Sequence, residues 1–472
     1  MPTRRDFIKS AALTGAVLGM GPAALLGQSN RSAAANTARR PARNIIFMVA
    51  DGMNIGSLAA ARQFQQLLLG QENAWLSLYG SQPIVRCLME TSSANSIVTD
   101  SAAASSSWGC GLRVNNGQIN MSPVDGRPLE PLCTTVKNGR GMATGLVTTA
   151  TVTHATPAGF AANTPKRGDE ELIARQYLER KVDLLLGGGA KFYSEELLGQ
   201  YREAGYGIVT ERGELLALPA GTTPLLGLFT EGYLPFTIER DASPELQRQV
   251  PTLAEMTAVA LERLSAAPDG FLLQVEGARV DHAGHANDAA ALIHDQIAFD
   301  HAVALVRDFA AEHPDTLVII TTDHGTGGMN VNGMGPSYSG TTAAFEKLGK
   351  FTRSYGQMKK EAAALDADAL RAYLESVTGI RFGGDKLHAL ALALQAVKAY
   401  SPDTMKAQEF SAKGLDTLPG IFQTETAVGW TSGNHTGELV EFTAFGPGAE
   451  RFPPLVRNDQ VHGLLLQAAG LA

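Results

Sequence analysis

Carboxylates and imidazoles are concentrated in one short stretch of the chain, residues 275–288. The stretch contains Glu276, Asp281, His282, His285 and Asp288. Side chains of these types repel one another and lose hydration when they are buried together, and a divalent cation removes both costs. Asp281 and His285 lie four residues apart, so they point the same way on a helical turn, and such a pair suits zinc. A solvated helix start with an aspartate in its first turn is compatible with the same pattern.

Further candidate metal ligands occur elsewhere in the chain. Asp51 directly follows a continuous apolar run, the pair Asp323 and His324 follows another, and His435 lies in a glycine-containing loop. Such apolar runs predict buried parallel strands, and open α/β sheets bind ligands at the carboxyl ends of those strands. An N-cap role for Asp51 on the following helix is compatible with its position too.

A hydroxyl group precedes a run of small residues at 100–105, which reads D-S-A-A-A-S. This pattern predicts a helix that begins at Ser101, with free backbone N–H groups and the positive end of the helix dipole near its hydroxyl. Such a helix start suits an anion of the size of phosphate. A plain N-cap at Asp100 explains the same residues without any ligand.

Strands that alternate with helices must position these residues. We predict an α/β fold, a three-layer αβα sandwich with a central, mostly parallel sheet. Residues 190–234 are predicted to form surface elements and loops, and 326–427 an insertion of helices and loops near the active face, with helices at 365–374 and 385–399. The predicted strands are 44–50, 143–149, 181–189, 271–275, 317–322 and 440–446.

Composition places the 472-residue chain among soluble globular proteins, since 44% of its residues are hydrophobic and 18% are charged. The formal net charge of -8 and the lack of a basic run outside the termini argue against a nucleic-acid-binding surface. Cys87, Cys110 and Cys133 are odd in number and follow no C-x-x-C pattern. We therefore predict no ligand role for them, and a buried apolar role for at least one.

The N-terminus has the pattern of a targeting segment. Residues 3–9 read T-R-R-D-F-I-K, an apolar stretch rich in Gly and Ala follows at 11–27, and small residues suited to cleavage lie at 32–35. We predict that residues 1–35 are a twin-arginine signal peptide, that 36–472 form the mature domain, and that the protein is exported to the periplasm or beyond. The apolar stretch is short and interrupted by Gly-Pro, which argues against a permanent membrane anchor.

Six stretches, taken together and in order, resemble the alkaline phosphatases across nearly the whole mature chain. They read N-I-I-F-M-V-A-D-G-M from Asn44, T-D-S-A-A-A-S from Thr99, T-H-A-T-P-A from Thr153, V-E-G-A-R-V-D-H-A-G-H from Val275, T-T-D-H-G from Thr321 and T-S-G-N-H-T-G from Thr431. The resemblance implies hydrolysis of phosphate monoesters through a phosphoserine intermediate, with broad leaving-group specificity. It also implies a homodimer.

The same resemblance implies a site for two zinc ions and one magnesium ion. It assigns Asp281, His285 and His435 to the first zinc; Asp51, Asp323, His324 and the nucleophile Ser101 to the second; and Asp51, Thr156 and Glu276 to magnesium. Arg167 matches the arginine that clamps two phosphate oxygens, and Asp100 is expected to orient it. Nitrogen and oxygen donors favour zinc, whereas an all-oxygen set favours magnesium.

Two positions depart from the pattern of some bacterial relatives, which carry Asp and Lys where this chain has His154 and His282. An imidazole beside the third site favours zinc or cobalt over magnesium. His282 is expected to contact phosphate through water and to add a pH-dependent charge. The remaining histidines match no motif, and we predict structural roles for them: His294, His301, His313, His388 and His462.

Other functions remain open at the level of sequence. A phosphodiesterase or a sulfatase of the same superfamily is the main alternative, and a non-catalytic exported metal- or phosphate-binding protein is another. The alanines after Ser101 argue against a sulfatase, which needs a C/S-x-P-x-R context. Arg167 would meet the second ester group of a diester, and Ser101 supplies a nucleophile that a mere binding protein does not need.

Overall fold

A ten-stranded sheet forms the centre of the protein, in the order β14-β2-β13-β8-β1-β7-β3-β4-β6-β5. The computed structural model describes residues 41–219, 221, 224–396 and 417–472. The described residues belong to one compact unit, 41–472. The predicted signal peptide, 1–35, lies outside them.

Within the sheet, β13 runs antiparallel to both of its neighbours, and the other paired strands run parallel. The prediction of a mostly parallel sheet is therefore confirmed. The strands of this sheet are β1 Asn44–Val49, β2 Val85–Glu90, β3 Ala143–Thr151, β4 Leu184–Gly188, β5 Gly207–Val209, β6 Leu225–Leu228, β7 Phe271–Glu276, β8 Thr316–Thr321, β13 Val440–Phe445 and β14 Leu455–Arg457. Two short ladders pair β9 Gly325–Thr326 with β12 His435–Thr436, and β10 Asn330–Val331 with β11 Val428–Gly429.

Helices cover both faces of the sheet, because its central strands are apolar on both sides. Along β1, Ile46 and Met48 belong to one buried cluster, whereas Ile45, Phe47 and Val49 belong to another. Two clusters separated by one sheet make three layers, so the predicted αβα sandwich is confirmed.

The α-helices around the sheet differ widely in length, from 5 residues in α9 to 24 residues in α13. They are α1 Ile55–Phe64, α2 Ala74–Ser81, α3 Ser101–Cys110, α4 Leu132–Arg140, α5 Ala155–Ala161, α6 Glu170–Glu179, α7 Glu195–Glu203, α8 Arg212–Ala217, α9 Thr237–Asp241, α10 Pro244–Gln249, α11 Leu253–Leu264, α12 Arg279–Ala286, α13 Ala289–Glu312, α14 Thr341–Glu346, α15 Tyr355–Ala362, α16 Ala367–Thr378, α17 Gly384–Ala396, α18 Leu418–Thr426 and α19 Asn458–Ala468. A π-helical turn, Gln65–Leu69, extends α1, and 3-10 turns lie at Ala190–Phe192, Pro336–Tyr338, Lys347–Lys350 and Ala449–Arg451. Helix α13 is long and apolar enough to cross a membrane by length and composition, but 72% of its most apolar window is buried inside the protein.

Two helices that begin beside the sheet's carboxyl edge pack unusually closely. A Cβ atom on Gly109 of α3 would lie 1.8 Å from the carbonyl oxygen of Gly159 in α5. Only glycine allows this approach, so the two helix starts, at Ser101 and Ala155, are held close together.

Several boundaries differ from the prediction. The 190–234 region was predicted as surface elements, but it supplies β5 and β6, which extend the sheet. Strands β2 and β14 were not predicted either, and the predicted strand 181–189 is shorter than expected. Each of these strands has six or fewer residues, and β2 alternates between buried and exposed positions, so none shows a long apolar run.

The predicted insertion begins at the short strand β9 and ends before β11, and both of these strands lie in the two short ladders outside the central sheet. Its helices α14, α15, α16 and α18 bury side chains in the same apolar cluster as α11 and α13. The backbone N–H of Tyr355 donates to Asp288 Oδ2 at 2.6 Å, which ties α15 to the start of α13. The helices predicted at 365–374 and 385–399 are found at Ala367–Thr378 and Gly384–Ala396; residues 397–399 lie outside the described ranges.

All three cysteine thiols are free. Cys87 and Cys133 are buried, which confirms the apolar role predicted for at least one of them. Burial raises the pKa of Cys133 to about 12, so its thiol stays protonated and unreactive.

Candidate active site

The first group of candidate ligands joins α12 to the strand β12. His285 Nε2 lies 3.4 Å from Asp281 Oδ2 and 3.0 Å from His435 Nε2. The Nδ1 atoms of His285 and His435 lie 2.8 Å from the carbonyl oxygens of Gly433 and Thr99. A carbonyl only accepts hydrogen bonds, so each Nδ1 carries the proton and each Nε2 keeps a lone pair. Both lone pairs and one carboxylate therefore converge, as a metal ion requires.

The second group lies at the carboxyl ends of β1 and β8. Asp51, Asp323 and His324 are at most 1% exposed, and their ligand atoms lie within 4.8 Å of one another. His324 Nε2 is 3.0 Å from Asp323 Oδ2 and 3.7 Å from Asp51 Oδ1. Asp51 Oδ1 is buried and receives no hydrogen bond from any described residue. A buried carboxylate oxygen in this state needs either a proton or a cation.

A third group shares Asp51 with the second. Asp51, His154 and Glu276 offer ligand atoms within 4.8 Å of one another, and all three are buried. Thr156 Oγ1 lies 3.4 Å from Asp51 Oδ2, as expected of a neighbouring oxygen donor. The sequence predicted His154 beside this site, and the structure brings it into the ligand set itself. Thr148, which the sequence did not indicate, donates to Glu276 Oε2 at 2.5 Å.

Ser101 is the first residue of α3, and its Oγ lies 3.2 Å from His324 Nε2. Asp100 is the N-cap of this helix, and its Oδ1 accepts from Ala103 N at 2.9 Å. The N-cap and the anion-binding interpretations are therefore compatible, because the cap leaves the Ser101 hydroxyl beside the second ligand group.

Arg167 reaches the same place from the loop between α5 and α6. Its Nη1 donates to Asp100 Oδ2 at 3.0 Å, and its Nη2 lies 3.1 Å from His154 Nε2. Its backbone N–H donates to Gly117 O at 2.8 Å, which fixes the start of the side chain. Asp100 therefore restrains the Arg167 guanidinium, and Asp100 immediately precedes Ser101.

Comparison with known proteins identifies the family. The alkaline phosphatase family model matches residues 42–471. Alkaline phosphatase 3 of Bacillus subtilis (strain 168) is 30% identical over 89% of this chain and 87% of the relative, and alkaline phosphatase 4 of the same organism is 29% identical over 96% and 94%. The crystal structure of Thermus thermophilus alkaline phosphatase matches with a TM-score of 0.81 and 32% identity over 96% of each chain. The chain belongs to the alkaline phosphatase family. It is a hydrolase of phosphate monoesters.

Charge repulsion in this alkaline phosphatase site is strong when the carboxylates are considered alone. Burial, followed by the charges of Asp323, Asp281 and Glu276, raises the pKa of Asp51 well above its usual range. Burial also raises the pKa of Glu276 to about 7. For Asp281, burial acts in the same direction, but the neighbouring His285 outweighs it together with other imidazoles, and the pKa is lowered. Divalent cations would stabilise all four carboxylates as anions.

His282 lies beside the phosphatase site but is not expected to carry the predicted pH-dependent charge. Burial, and then the Arg279 cation, lower the pKa of His282 well below 6.5. Arg279 Nη1 lies 2.7 Å from His282 Nδ1, and since guanidinium only donates, Nδ1 accepts. The ring of Tyr233 lies 4.5 Å from the imidazole between centroids, and Arg279 also stacks 3.6 Å over Phe236. Arg279 stands in the 275–288 stretch, but a lone arginine there gave no reason to single it out.

The other histidines belong to none of the three ligand groups found among the described residues. His294 packs against Phe64, and His313 stacks on Phe309 at 4.0 Å between centroids. His462 Nδ1 bonds to the carbonyl of Trp108. The structural roles predicted for these three are consistent with their contacts.

Proposed function

We propose that this enzyme hydrolyses phosphate monoesters with Ser101 as the nucleophile. The observation that carries the proposal is the Ser101 hydroxyl at the start of α3, 3.2 Å from His324 Nε2 and next to Asp100, which holds Arg167. Ser101 Oγ attacks phosphorus, the P–O bond to the alcohol breaks, and the alcohol takes a proton as it leaves. Water then hydrolyses the phosphoserine, which releases inorganic phosphate and restores the hydroxyl.

Metal ions are the cofactors that these residues fit. We infer zinc for the groups Asp281–His285–His435 and Asp51–Asp323–His324, because both mix imidazole nitrogen with carboxylate oxygen. Magnesium suits the oxygen donors of the third group, but His154 favours zinc or cobalt there. When bound, such ions polarise phosphoryl oxygens and stabilise the charges of the entering and leaving oxygens.

Arg167 supplies the recognition of the phosphoryl group. A guanidinium has a planar fork of donors that matches two phosphate oxygens, and Asp100 restrains that fork from one side. The backbone N–H groups at the start of α3 add donors for the same charge. Because these groups would contact only the phosphoryl oxygens of a bound substrate, we infer broad tolerance for the alcohol.

The diesterase alternative predicts a different substrate preference. In a diester, one of the oxygens that Arg167 would clamp carries a second alkyl group, so the fork loses a partner and gains a steric contact. Monoester hydrolysis should therefore exceed hydrolysis of the matching diester and sulfate ester. Equal or greater diester turnover would overturn the monoesterase assignment for this chain.

A trapping experiment tests the nucleophile directly. The enzyme is incubated with a monoester labelled at phosphorus, quenched in acid, digested and analysed by mass spectrometry for a phosphoserine peptide that contains Ser101. Ser101→Ala should abolish both the labelled peptide and most turnover while leaving the metal content unchanged. Ser107→Ala is the matched control, because Ser107 lies in the same buried helix and its hydroxyl donates only to Ala103 O. Labelling that persists in Ser101→Ala would refute the mechanism.

We further propose export and dimerisation. The twin-arginine pattern at 3–9 supports transport of a folded protein across the inner membrane. Mass spectrometry of the secreted fraction should find an N-terminus near residue 36, and replacement of Arg4 and Arg5 by lysine should leave the protein in the cytoplasm. Light scattering should give the mass of two chains, and a mass close to a single chain would contradict the dimer.

A further inference from the structure

His154 has two competing partners in this structure. It is the N-cap residue of α5, is 4% exposed, and is the one imidazole in the ligand group with Asp51 and Glu276. Its Nε2 also lies 3.1 Å from Nη2 of Arg167, and its Nδ1 has no hydrogen-bond partner among the described residues. One side chain therefore faces both the third metal group and the arginine proposed to bind substrate.

The ring itself has little freedom to serve both partners by moving. The edge of Tyr233 lies against it at 5.9 Å between centroids and 81°, and His282 does so at 5.9 Å and 83°. The backbone N–H of His154 bonds to Thr151 O at 2.9 Å, and its carbonyl accepts from Ala158 N at 3.0 Å. The main chain is fixed and two rings flank the imidazole, so the two partners must be served from nearly one orientation.

Hydrogen-bond chemistry makes the two partners exclusive. A neutral imidazole has one nitrogen with a lone pair and one with a proton, and a guanidinium has only donors. When Arg167 donates to Nε2, it uses the only lone pair, and the proton then sits on Nδ1. A metal ion also needs that lone pair, whichever ring nitrogen it approaches. His154 cannot bind Arg167 and a metal ion at the same time.

We propose that Arg167 and the third-site metal ion compete for the lone pair of His154, so that occupation of the third site releases Nη2 of Arg167. This inference rests on the proposed phosphoryl-binding role of Arg167. Nη1 keeps its bond to Asp100 in either state, so the arginine stays at the site while Nη2 becomes available to complete the two-donor fork. The third ion and phosphate then favour each other's binding through a single side chain, in addition to their charge attraction.

Third-ion affinity in a double-mutant cycle tests this competition. The protein is loaded with two equivalents of zinc, and binding of a further zinc or cobalt ion is measured by calorimetry in the wild type, Arg167→Ala, His154→Ala and the double variant. Arg167→Ala removes the charge-assisted hydrogen bond to His154, so the affinity for the third ion should increase by about tenfold or more. In the His154→Ala background, the same arginine change should have a much smaller effect.

The His154→Ala background separates competition from simple repulsion between a cation and Arg167. Repulsion does not depend on the imidazole, so equal tightening in both backgrounds would overturn the proposal. No tightening in either background, or no third ion bound by the wild type, would overturn it too. His154→Asn provides a second background that lacks the imidazole and places a favourable N-cap residue at the start of α5. Monoesterase activity and Ser101 labelling are measured independently. Failure of the competition can therefore be distinguished from failure of the proposed function.

Discussion

Replacement of Arg167 by alanine should reduce monoester hydrolysis far more than diester hydrolysis. Hydrogen bonds to charged groups contribute roughly 1.5–3 kcal/mol each, and the fork offers two to a monoester. The Arg167 and Asp100 side chains are 21% and 16% exposed, so water screens part of this interaction and the lower end of the range applies. We expect a loss of about 3 kcal/mol, or roughly 150-fold in kcat/KM, for a monoester. A diester can use only one of the two bonds and should lose about tenfold.

The assay compares kcat/KM for a chromogenic phosphate monoester and its methyl diester in the wild type and Arg167→Ala, at saturating zinc and magnesium. The ratio of monoester to diester activity should fall about tenfold in the variant, as follows from the loss of one charge-assisted bond. Arg140→Ala is the matched control, because Arg140 bonds to the carbonyls of Ala42 and Ala469, away from the three ligand groups. It should change stability but not the ratio. Equal losses for both substrates would show that Arg167 does not contact the second non-bridging oxygen, and the clamp would be refuted.

Three further outcomes are expected. Burial raises the pKa of Asp295 from 3.8 to about 7, so the stability that protonated Asp295 contributes at low pH is lost as pH rises through 7. With metals present, the free energy of unfolding of Asp295→Asn, measured in urea, should rise by roughly 2–3 kcal/mol relative to that of the wild type between pH 5 and pH 8. A difference in unfolding free energy that stays constant over this range would contradict the burial argument. Gly109→Ala should cost about 3 kcal/mol or more and lower activity, since its Cβ would lie 1.8 Å from Gly159 O, whereas Gly199→Ala, which meets nothing within 4 Å, should be stabilising or neutral in thermal unfolding. Chelation should lower the unfolding free energy by about 3 kcal/mol for each site whose free metal concentration was a hundredfold above its dissociation constant. In calorimetry, restored zinc and magnesium should reverse this loss. An unchanged melting temperature would contradict the need for cations.

The parts of the site that could be predicted are those fixed by local sequence. Asp51, Asp323 and Glu276 each follow or end an apolar strand, and parallel strands bring their carboxyl ends to one edge whatever the loops do. The four-residue spacing of Asp281 and His285 requires only one helical turn. These rules hold for any sheet order, so the convergence could be predicted although the order of the ten strands could not.

The contacts that could not be predicted are those between distant loops. Nothing in the sequence near Arg167 indicates that its guanidinium meets His154, because the two are joined through a loop whose path depends on the contact with Gly117. Likewise, the pairing of Arg279 with His282 is local in sequence. Its effect on the protonation of His282 depends on burial by Tyr233 and Phe236, which come from another part of the chain. Strands β5 and β6 were missed for a related reason: short strands gain their stability from neighbours in the sheet rather than from their own pattern.

Charge balance explains why the fold and the chemistry cannot be separated in this protein. Asp51, Glu276, Asp281 and Asp323 are at most 2% exposed and face one another, an arrangement that would oppose folding if the carboxylates were ionised without cations. The close packing of α3 on α5 and the strand ends nevertheless hold them together, and the same rigidity holds Ser101 beside them. Metal binding therefore removes the repulsion between carboxylates that the fold imposes. The positive charge of the bound ions lies where a phosphoryl group would bind. A substitution that relaxes this crowding would stabilise the metal-free protein and weaken both metal and phosphate binding.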